Sequence, residues 1–154
     1  MKPKIYIDGK EGTTGLQIYE RLGSRDDLEL LLIDEDKRKD PAERKKFLNA
    51  ADLVFLCLPD AAAKEAVAMI ENAHTRVIDA STAHRTAPGW DYGLPELTAG
   101  QRQKIAQSVR VANPGCYATG FITLVRPLVE RGILSPDSRL TVHALSGYTG
   151  AGKK

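Results

Sequence analysis

The sequence has little cysteine, no long apolar run and almost no excess of one charge. Its two cysteines, Cys57 and Cys116, are too few for a disulfide framework and suit a reducing compartment. Lysine and arginine number 22 against 20 aspartates and glutamates, so charge favours neither a nucleic acid nor an anionic membrane as partner. No apolar stretch is long enough for a signal peptide or a membrane span, and we expect a cytoplasmic protein.

Short apolar runs alternate with amphipathic ones along all 154 residues. They predict strands at residues 5–7, 28–33, 53–58, 77–78, 109–112 and 139–145. Helices are predicted at residues 14–22, 41–49, 61–70, 97–107 and 118–131, and Asp40 is predicted to cap the second of them. The polar residues 81–93 are predicted to form a surface loop. Such alternation predicts an α/β fold, a doubly wound and mainly parallel sheet of the Rossmann type.

A glycine-rich turn separates the first strand from the first helix. It has the spacing G-x-x-G-x-x-G and contains Gly9, Gly12, Thr13, Thr14 and Gly15. Glycines there let backbone amides approach a pyrophosphate at the positive end of a helix dipole. A helix entry can also use glycine for purely structural reasons, but the position after a first strand favours a dinucleotide. The turn has no Gly-Lys-Ser/Thr ending, which disfavours a nucleoside triphosphate.

The end of the second strand carries conflicting signals about the cofactor. Asp34 is an acid where a carboxylate would bond the ribose 2′-hydroxyl of NAD. Lys37 and Arg38 follow it and suit the 2′-phosphate of NADP, although both are also ordinary residues for a solvated turn. The sequence pattern leaves the choice open.

A second group of candidate functional residues is the segment Asn113-Pro114-Gly115-Cys116. It places the Cys116 thiol after a strand and at the start of a helix, where the dipole and free amides stabilise a thiolate. The same amides suit the oxyanion of a tetrahedral adduct. The alternative is an inert packing cysteine, which is the role we assign to Cys57 in its apolar run. Next to a dinucleotide turn, we favour a nucleophile at Cys116.

Four stretches together resemble the semialdehyde dehydrogenase family, and within it the shorter subtype of the arginine-biosynthesis branch. They are IDGKEGTTGL from Ile7, DASTAHRT from Asp79, NPGCY from Asn113 and SGYTGAGK from Ser146. The resemblance implies NADPH as cofactor and Cys116 as nucleophile. It implies reductive dephosphorylation of N-acetyl-gamma-glutamyl phosphate to N-acetylglutamate semialdehyde through a cysteine thioester. It also implies a homo-oligomer.

The resemblance further assigns residues to the two ligands. We place the cofactor on Gly9, Gly12, Thr13, Thr14, Gly15, Lys37, Arg38, Ser81 and Thr82. We place the substrate on Arg85, Asn113, Ser146 and Gly147, and we assign no metal ligand. Arg85 stands where family members keep an arginine near the substrate phosphate, a task that suits a guanidinium. A plain surface arginine is the alternative.

The chain also departs from the family pattern. Family members are about twice as long and use an acid/base histidine, which none of His74, His84 and His143 matches. We therefore expect residues 1–138 to form the NADP-binding domain, 139–154 to begin a substrate or dimerisation domain, and this chain alone to be inactive. Two alternatives stay open: an aspartate-semialdehyde dehydrogenase, and a non-catalytic dinucleotide-binding fragment.

Overall fold

The computed structural model describes residues 1–10 and 12–147. Within them the strands are β1 (Lys4–Asp8), β2 (Glu29–Leu31), β3 (Leu53–Leu56), β4 (Arg76–Asp79), β5 (Asp91–Tyr92) and β6 (Arg110–Ala112). The helices are α1 (Thr13–Gly23), α2 (Pro41–Ala50), α3 (Asp60–Ala68), α4 (Gln101–Gln107) and α5 (Cys116–Glu130). No helix in these residues is long and apolar enough to cross a membrane.

The six strands form one parallel sheet in the order β2-β1-β3-β4-β6-β5. This confirms the predicted Rossmann-type α/β fold. The chain runs outward from β1 to β2 and returns past β1 to β3, so the winding direction reverses between β1 and β3. Ligands of open α/β sheets bind outside the carboxyl ends of the strands at such a reversal. The turns after β1, β3, β4 and β6 all lie along that edge.

The main core lies between the sheet and helices α2 and α3. Alternate strand residues point to this face, and Tyr6, Val54 and Leu56 are almost completely buried there. Burial of each side chain of this size stabilises the folded chain by roughly 1.5–3 kcal/mol. Asp40 caps α2 as predicted, since its carboxylate accepts from the amides of Ala42 and Glu43 at 2.8 and 3.2 Å.

The prediction of a surface loop at residues 81–93 is partly wrong. Ser81 and His84 are buried, and Asp91 and Tyr92 form edge strand β5 beside β6. The loop folds inward because its polar side chains find partners at the end of β4, and a two-residue strand leaves almost no periodic signal. Smaller differences are that β2 ends at Leu31 and that α4 begins only at Gln101.

The predicted strand at residues 139–145 is also wrong. The structure gives this segment neither helix nor strand, and every residue in it is exposed. Its apolar residues Leu140, Val142 and Leu145 alternate as in a strand, but no described strand lies beside them to complete a ladder. The alternating pattern predicted a strand, but the described residues include no neighbouring strand to which it could hydrogen-bond.

Candidate active site

The glycine turn packs directly onto the end of β3. Gly9 has a φ of +89°, and a Cβ there would lie 2.4 Å from the Cys57 carbonyl oxygen. A Cβ at Gly15 would lie 2.4 Å from the Gly9 carbonyl oxygen, so both positions require glycine. Gly12 is the N-cap of α1, and Thr13 and Thr14 begin that helix. Glu11, within this turn, lies outside the described residues.

A cleft of about 350 Å³ opens beside this turn. Its lining comes from the end of β1, the segment after β2, helix α2 and the residues after β3. The lining residues are Tyr6, Ile7, Asp8, Gly9, Lys10, Ile33, Glu35, Arg38, Lys39, Arg44, Leu58 and Ala62. Four of them are cationic and two are anionic, so the cleft has an excess of positive charge that suits phosphate groups.

The residues after β2 divide between this cleft and the outer surface. Arg38 lines the cleft, whereas the exposed Lys37 forms an ion pair with Asp34 at 3.5 Å. The acid that lines the cleft is Glu35 rather than Asp34. The sequence pattern correctly marked this segment as charged, but it did not show which charges line the cleft.

A buried ion pair closes the inner wall of the cleft, and sequence reasoning missed it. Arg44 of α2 donates through Nη2 and Nε to Oδ2 of Asp8, at 2.8 and 3.3 Å. Only 12% of the Arg44 side chain and 7% of the Asp8 side chain are exposed. The two residues are 36 positions apart, so no local pattern could have joined them. Their bond fixes the end of β1, where the glycine turn begins.

Cys116 is the first residue of α5, as the sequence predicts, and it is exposed. The first amides of a helix have no partner within the helix, so they remain available to a thiolate or an oxyanion. Arg85 lies against the preceding residue: its Nε donates to the Asn113 carbonyl at 3.1 Å, and a Cβ at Gly115 would lie 2.7 Å from its Nη1. The structure thus brings together Arg85, Asn113 and Cys116.

The residues after β4 are held by carboxylates. Ser81 donates its hydroxyl to Asp79 at 2.7 Å, and Thr82 donates its amide to Asp60 at 2.9 Å. The Thr82 hydroxyl also donates to Asp60, and the hydroxyl bond together with the amide bond lowers the pKa of that carboxyl below its usual value. Both residues lie along the carboxyl edge of the sheet, where the nicotinamide end of a dinucleotide is expected, but their hydroxyls already have protein partners.

Cys57 contrasts with Cys116. It lies at the end of β3 beneath the glycine turn, and its amide donates to the Asp8 carbonyl at 2.8 Å. Burial, together with the nearby negative charges of Asp79 and Asp8, raises the pKa of its thiol to about 11. A thiol with that pKa is almost wholly protonated at neutral pH, which agrees with its predicted packing role.

Two predicted substrate residues are not brought to this site. Ser146 and Gly147 lie in the exposed segment after α5, and the structure shows no hydrogen bond from the described residues of that segment to the Cys116 turn. The remainder of their motif, residues 148–153, lies outside the described residues. Their assignment remains a prediction.

Comparison with protein-family models matches two parts of the chain. Residues 31–108, slightly more than half of the sequence, match the semialdehyde dehydrogenase NAD-binding domain. The chain belongs to the semialdehyde dehydrogenase family. Residues 116–154 match the dimerisation domain of the same family. The family resemblance inferred from the four sequence stretches is confirmed, and with it a domain for a nicotinamide dinucleotide.

Curated relatives narrow the similarity within this semialdehyde dehydrogenase family. The chain is 58% identical over 152 residues to the N-acetyl-gamma-glutamyl-phosphate reductase of Trichormus variabilis, covering 99% of this chain and 47% of that protein. It is 59% identical over 151 residues to N-acetyl-gamma-glutamyl-phosphate reductase 2 of Pseudomonas putida, covering 98% and 48%. The chain therefore spans about half the length of the curated relatives it matches.

Solved structures support the semialdehyde dehydrogenase fold. Aspartate semialdehyde dehydrogenase II of Vibrio cholerae superposes with a TM-score of 0.61 at 15% identity, over 84% of this chain and 43% of that one. The Candida albicans aspartate semialdehyde dehydrogenase with NADP gives a TM-score of 0.57 at 15% identity, over 84% and 47%. At this identity, the likeness establishes the fold alone.

Proposed function

We propose that this chain carries the cofactor site and the nucleophile of an N-acetyl-gamma-glutamyl-phosphate reductase. The observation that carries the proposal is Cys116 at the first position of α5 with the Arg85 guanidinium against Gly115. This arrangement places a thiol that can accept the acyl group close to a cation that can bind the departing phosphate. The relatives at 58% and 59% identity favour the N-acetylated gamma-glutamyl substrate over an aspartyl one.

The chain's own residues account for the first half of the reaction. The Cys116 thiolate attacks the acyl carbonyl, the carbon–oxygen bond to phosphate breaks, and a thioester forms on the sulfur as phosphate leaves. Arg85 stabilises the leaving phosphate through charge-assisted bonds. The first amides of α5 stabilise the tetrahedral oxyanion. Asn113, beside Arg85, contributes to the substrate side of the site.

The cleft fits the dinucleotide that the second half of the reaction needs. Glycines without Cβ atoms allow the pyrophosphate close to the backbone, and the cationic lining suits its phosphates. NADPH, when bound, supplies the hydride that reduces the acyl group to the aldehyde. Gly9, Gly12, Thr13, Thr14 and Gly15 would hold the pyrophosphate, and Ser81 and Thr82 would border the nicotinamide end.

Acylation of Cys116 tests the proposed function without requiring turnover. We expect N-acetyl-gamma-glutamyl phosphate to add one acyl group to Cys116 and to release one phosphate, detected by intact mass and peptide mapping. The Cys116→Ser variant should form no thioester, and beta-aspartyl phosphate should acylate the wild-type chain more slowly. Faster acylation by the aspartyl compound would favour aspartate-semialdehyde dehydrogenase. No adduct from either compound would favour a non-catalytic binding fragment.

We propose that NADP is preferred over NAD and that Arg38 contributes more to this preference than Lys37. Arg38 lines the cleft, whereas Lys37 is not among its lining residues. Since a hydrogen bond to a charged group contributes roughly 1.5–3 kcal/mol, Arg38→Ala should weaken NADP binding about ten- to hundredfold. Binding of NAD should change little.

Calorimetric titration of both cofactors measures this difference. Lys37→Ala is the matched control, and it should weaken NADP binding much less than Arg38→Ala. Tighter binding of NAD than of NADP by the wild-type chain would refute the cofactor preference. If Arg38→Ala lost affinity for NADP and NAD equally, Arg38 would not be a residue that binds the 2′-phosphate.

We also propose the larger organisation of the protein. Residues 1–138 would form the NADP-binding domain, and 139–154 would begin a substrate or dimerisation domain of a cytoplasmic homo-oligomer. Helix α5 supports the presence of a further domain or subunit because none of its residues is buried. Its exposed apolar side chains, Tyr117, Phe121, Leu124 and Leu128, suit contact with a further domain or subunit. A free Cys116 thiol also suits a reducing compartment.

A further inference from the structure

The end of β4 carries a histidine–carboxylate pair that the reaction described above does not use. Asp79 is completely buried, and its Oδ2 lies 2.6 Å from Nδ1 of His84. Because a carboxylate only accepts hydrogen bonds, this contact assigns the Nδ1 proton to His84. The imidazole also stacks on Trp90, with ring centroids 4.1 Å apart and an angle of 10° between the planes. The ring is thus fixed both at its edge and on its face.

This pair belongs to a closed chain of contacts next to the turn that carries the candidate nucleophile. The Asp79 carbonyl accepts from the Asn113 amide at 2.8 Å, which ties the end of β4 to the end of β6. The Asp79 carboxylate holds His84, and the next residue, Arg85, donates back to the Asn113 carbonyl at 3.1 Å. Through these bonds, the position of Arg85 beside Gly115 depends on where His84 is held.

We infer that His84 is a positioning residue: its bond to Asp79 holds Arg85 beside Cys116, where the guanidinium receives the phosphate of the acyl substrate. A long loop would otherwise let this guanidinium swing into solvent, since arginine side chains have many rotamers. The inference rests on the proposed function for the identity of the anion. The placement of the cation beside the thiol is testable without substrate or cofactor.

Two alkylating reagents of nearly equal size measure that placement in the full chain. Iodoacetate is an anion and iodoacetamide is neutral, and both transfer their carbon to the Cys116 sulfur with loss of iodide. A cation within about 4 Å of an anion in water favours it by about fivefold. The iodoacetate-to-iodoacetamide rate ratio at Cys116, followed by peptide mass, should therefore fall about fivefold in Arg85→Gln.

The His84 variants then separate positioning from a general loss of structure. His84→Ala should lower the ratio to the Arg85→Gln value while Cys57 stays protected in the folded chain. His84→Asn should keep most of the wild-type ratio, because its amide can donate to Asp79 from nearly the position of Nδ1. A general loosening of the fold would also expose Cys57 to both reagents, so a protected Cys57 shows that a lower ratio comes from the lost bond and not from lost structure. If His84→Ala does not fold, His84→Gln replaces it, since its amide lies one methylene beyond the Nδ1 position.

The outcomes are distinct from those of the acylation experiment, which can fail while the rate ratio still reports on Arg85. A low ratio in His84→Ala with a retained ratio in His84→Asn supports the inference. A wild-type ratio in folded His84→Ala overturns it, and so does a wild-type ratio in Arg85→Gln. An equally low ratio in His84→Asn would show that the hydrogen bond to Asp79 is not what holds Arg85 in place.

Discussion

Iodoacetamide at pH 7 should label Cys116 at least about 100-fold faster than Cys57 in the folded chain. The raised pKa of Cys57, about 11, leaves only about one molecule in 10⁴ as thiolate at this pH, against a few per cent for an ordinary thiol. Cys116 is exposed at the start of α5, whereas Cys57 is half-buried under the glycine turn. Peptide mass mapping after brief labelling measures both rates in one sample.

Unfolding and pH provide the controls for this labelling result. In concentrated urea the two rates should converge, because burial and the charges of Asp79 and Asp8 no longer act on Cys57. In the folded chain the Cys57 rate should rise about tenfold for each pH unit up to its pKa, since a raised thiol pKa delays thiolate formation. Comparable labelling of both cysteines in folded protein would contradict the assignment of Cys116 as the accessible nucleophile.

Arg44→Met should destabilise the chain by about 3–5 kcal/mol, the usual loss when one partner of a buried ion pair is removed. The variant keeps an unbranched apolar stem in place of the arginine but leaves the Asp8 carboxylate, 7% exposed, without its cation. Urea unfolding followed by circular dichroism measures the change in free energy of unfolding. The end of β1 should loosen as well, so cofactor binding should weaken in parallel.

The neighbouring residue offers a matched control. Lys45 also lies on α2 and forms an ion pair, with Glu71 at 2.6 Å, but 46% of its side chain is exposed. Lys45→Met should therefore cost less than about 1 kcal/mol. The double variant Asp8→Asn with Arg44→Met should recover part of the stability, because no charge is left buried and unpaired. Equal losses for Arg44→Met and Lys45→Met would show that the Asp8 pair contributes little.

Much of this fold follows from local sequence pattern. The alternation of apolar and amphipathic runs predicted five of the strands, and the order of Asp40 and Pro41 predicted the start of α2. The glycine turn and Cys116 could be placed because a strand end and a helix start together define a position at the sheet edge. These features depend on residues close together in the chain.

Features that depend on distant partners were not predictable in this way. The contact of Asp8 with Arg44 joins β1 to α2, and the contact of Arg85 with Asn113 joins a loop to the end of β6. The strand predicted at residues 139–145 failed for the same reason, because a strand needs a neighbour as well as a pattern. Only the start of the turn after β4 had a local signal, since an aspartate often accepts from the backbone two residues on, as Asp79 does from the Ser81 amide.

The contact between the glycine turn and the end of β3 limits how this protein can change during evolution. Every single-base change in a glycine codon that is not silent gives a stop or a residue with a Cβ. At Gly9 and Gly15 that atom would meet backbone, which cannot rotate away as a side chain can. At Gly23, at the far end of the same helix, it would meet nothing within 4 Å. Mutational drift can therefore replace Gly23 without steric conflict, whereas a substitution at Gly9 or Gly15 requires the surrounding backbone to shift.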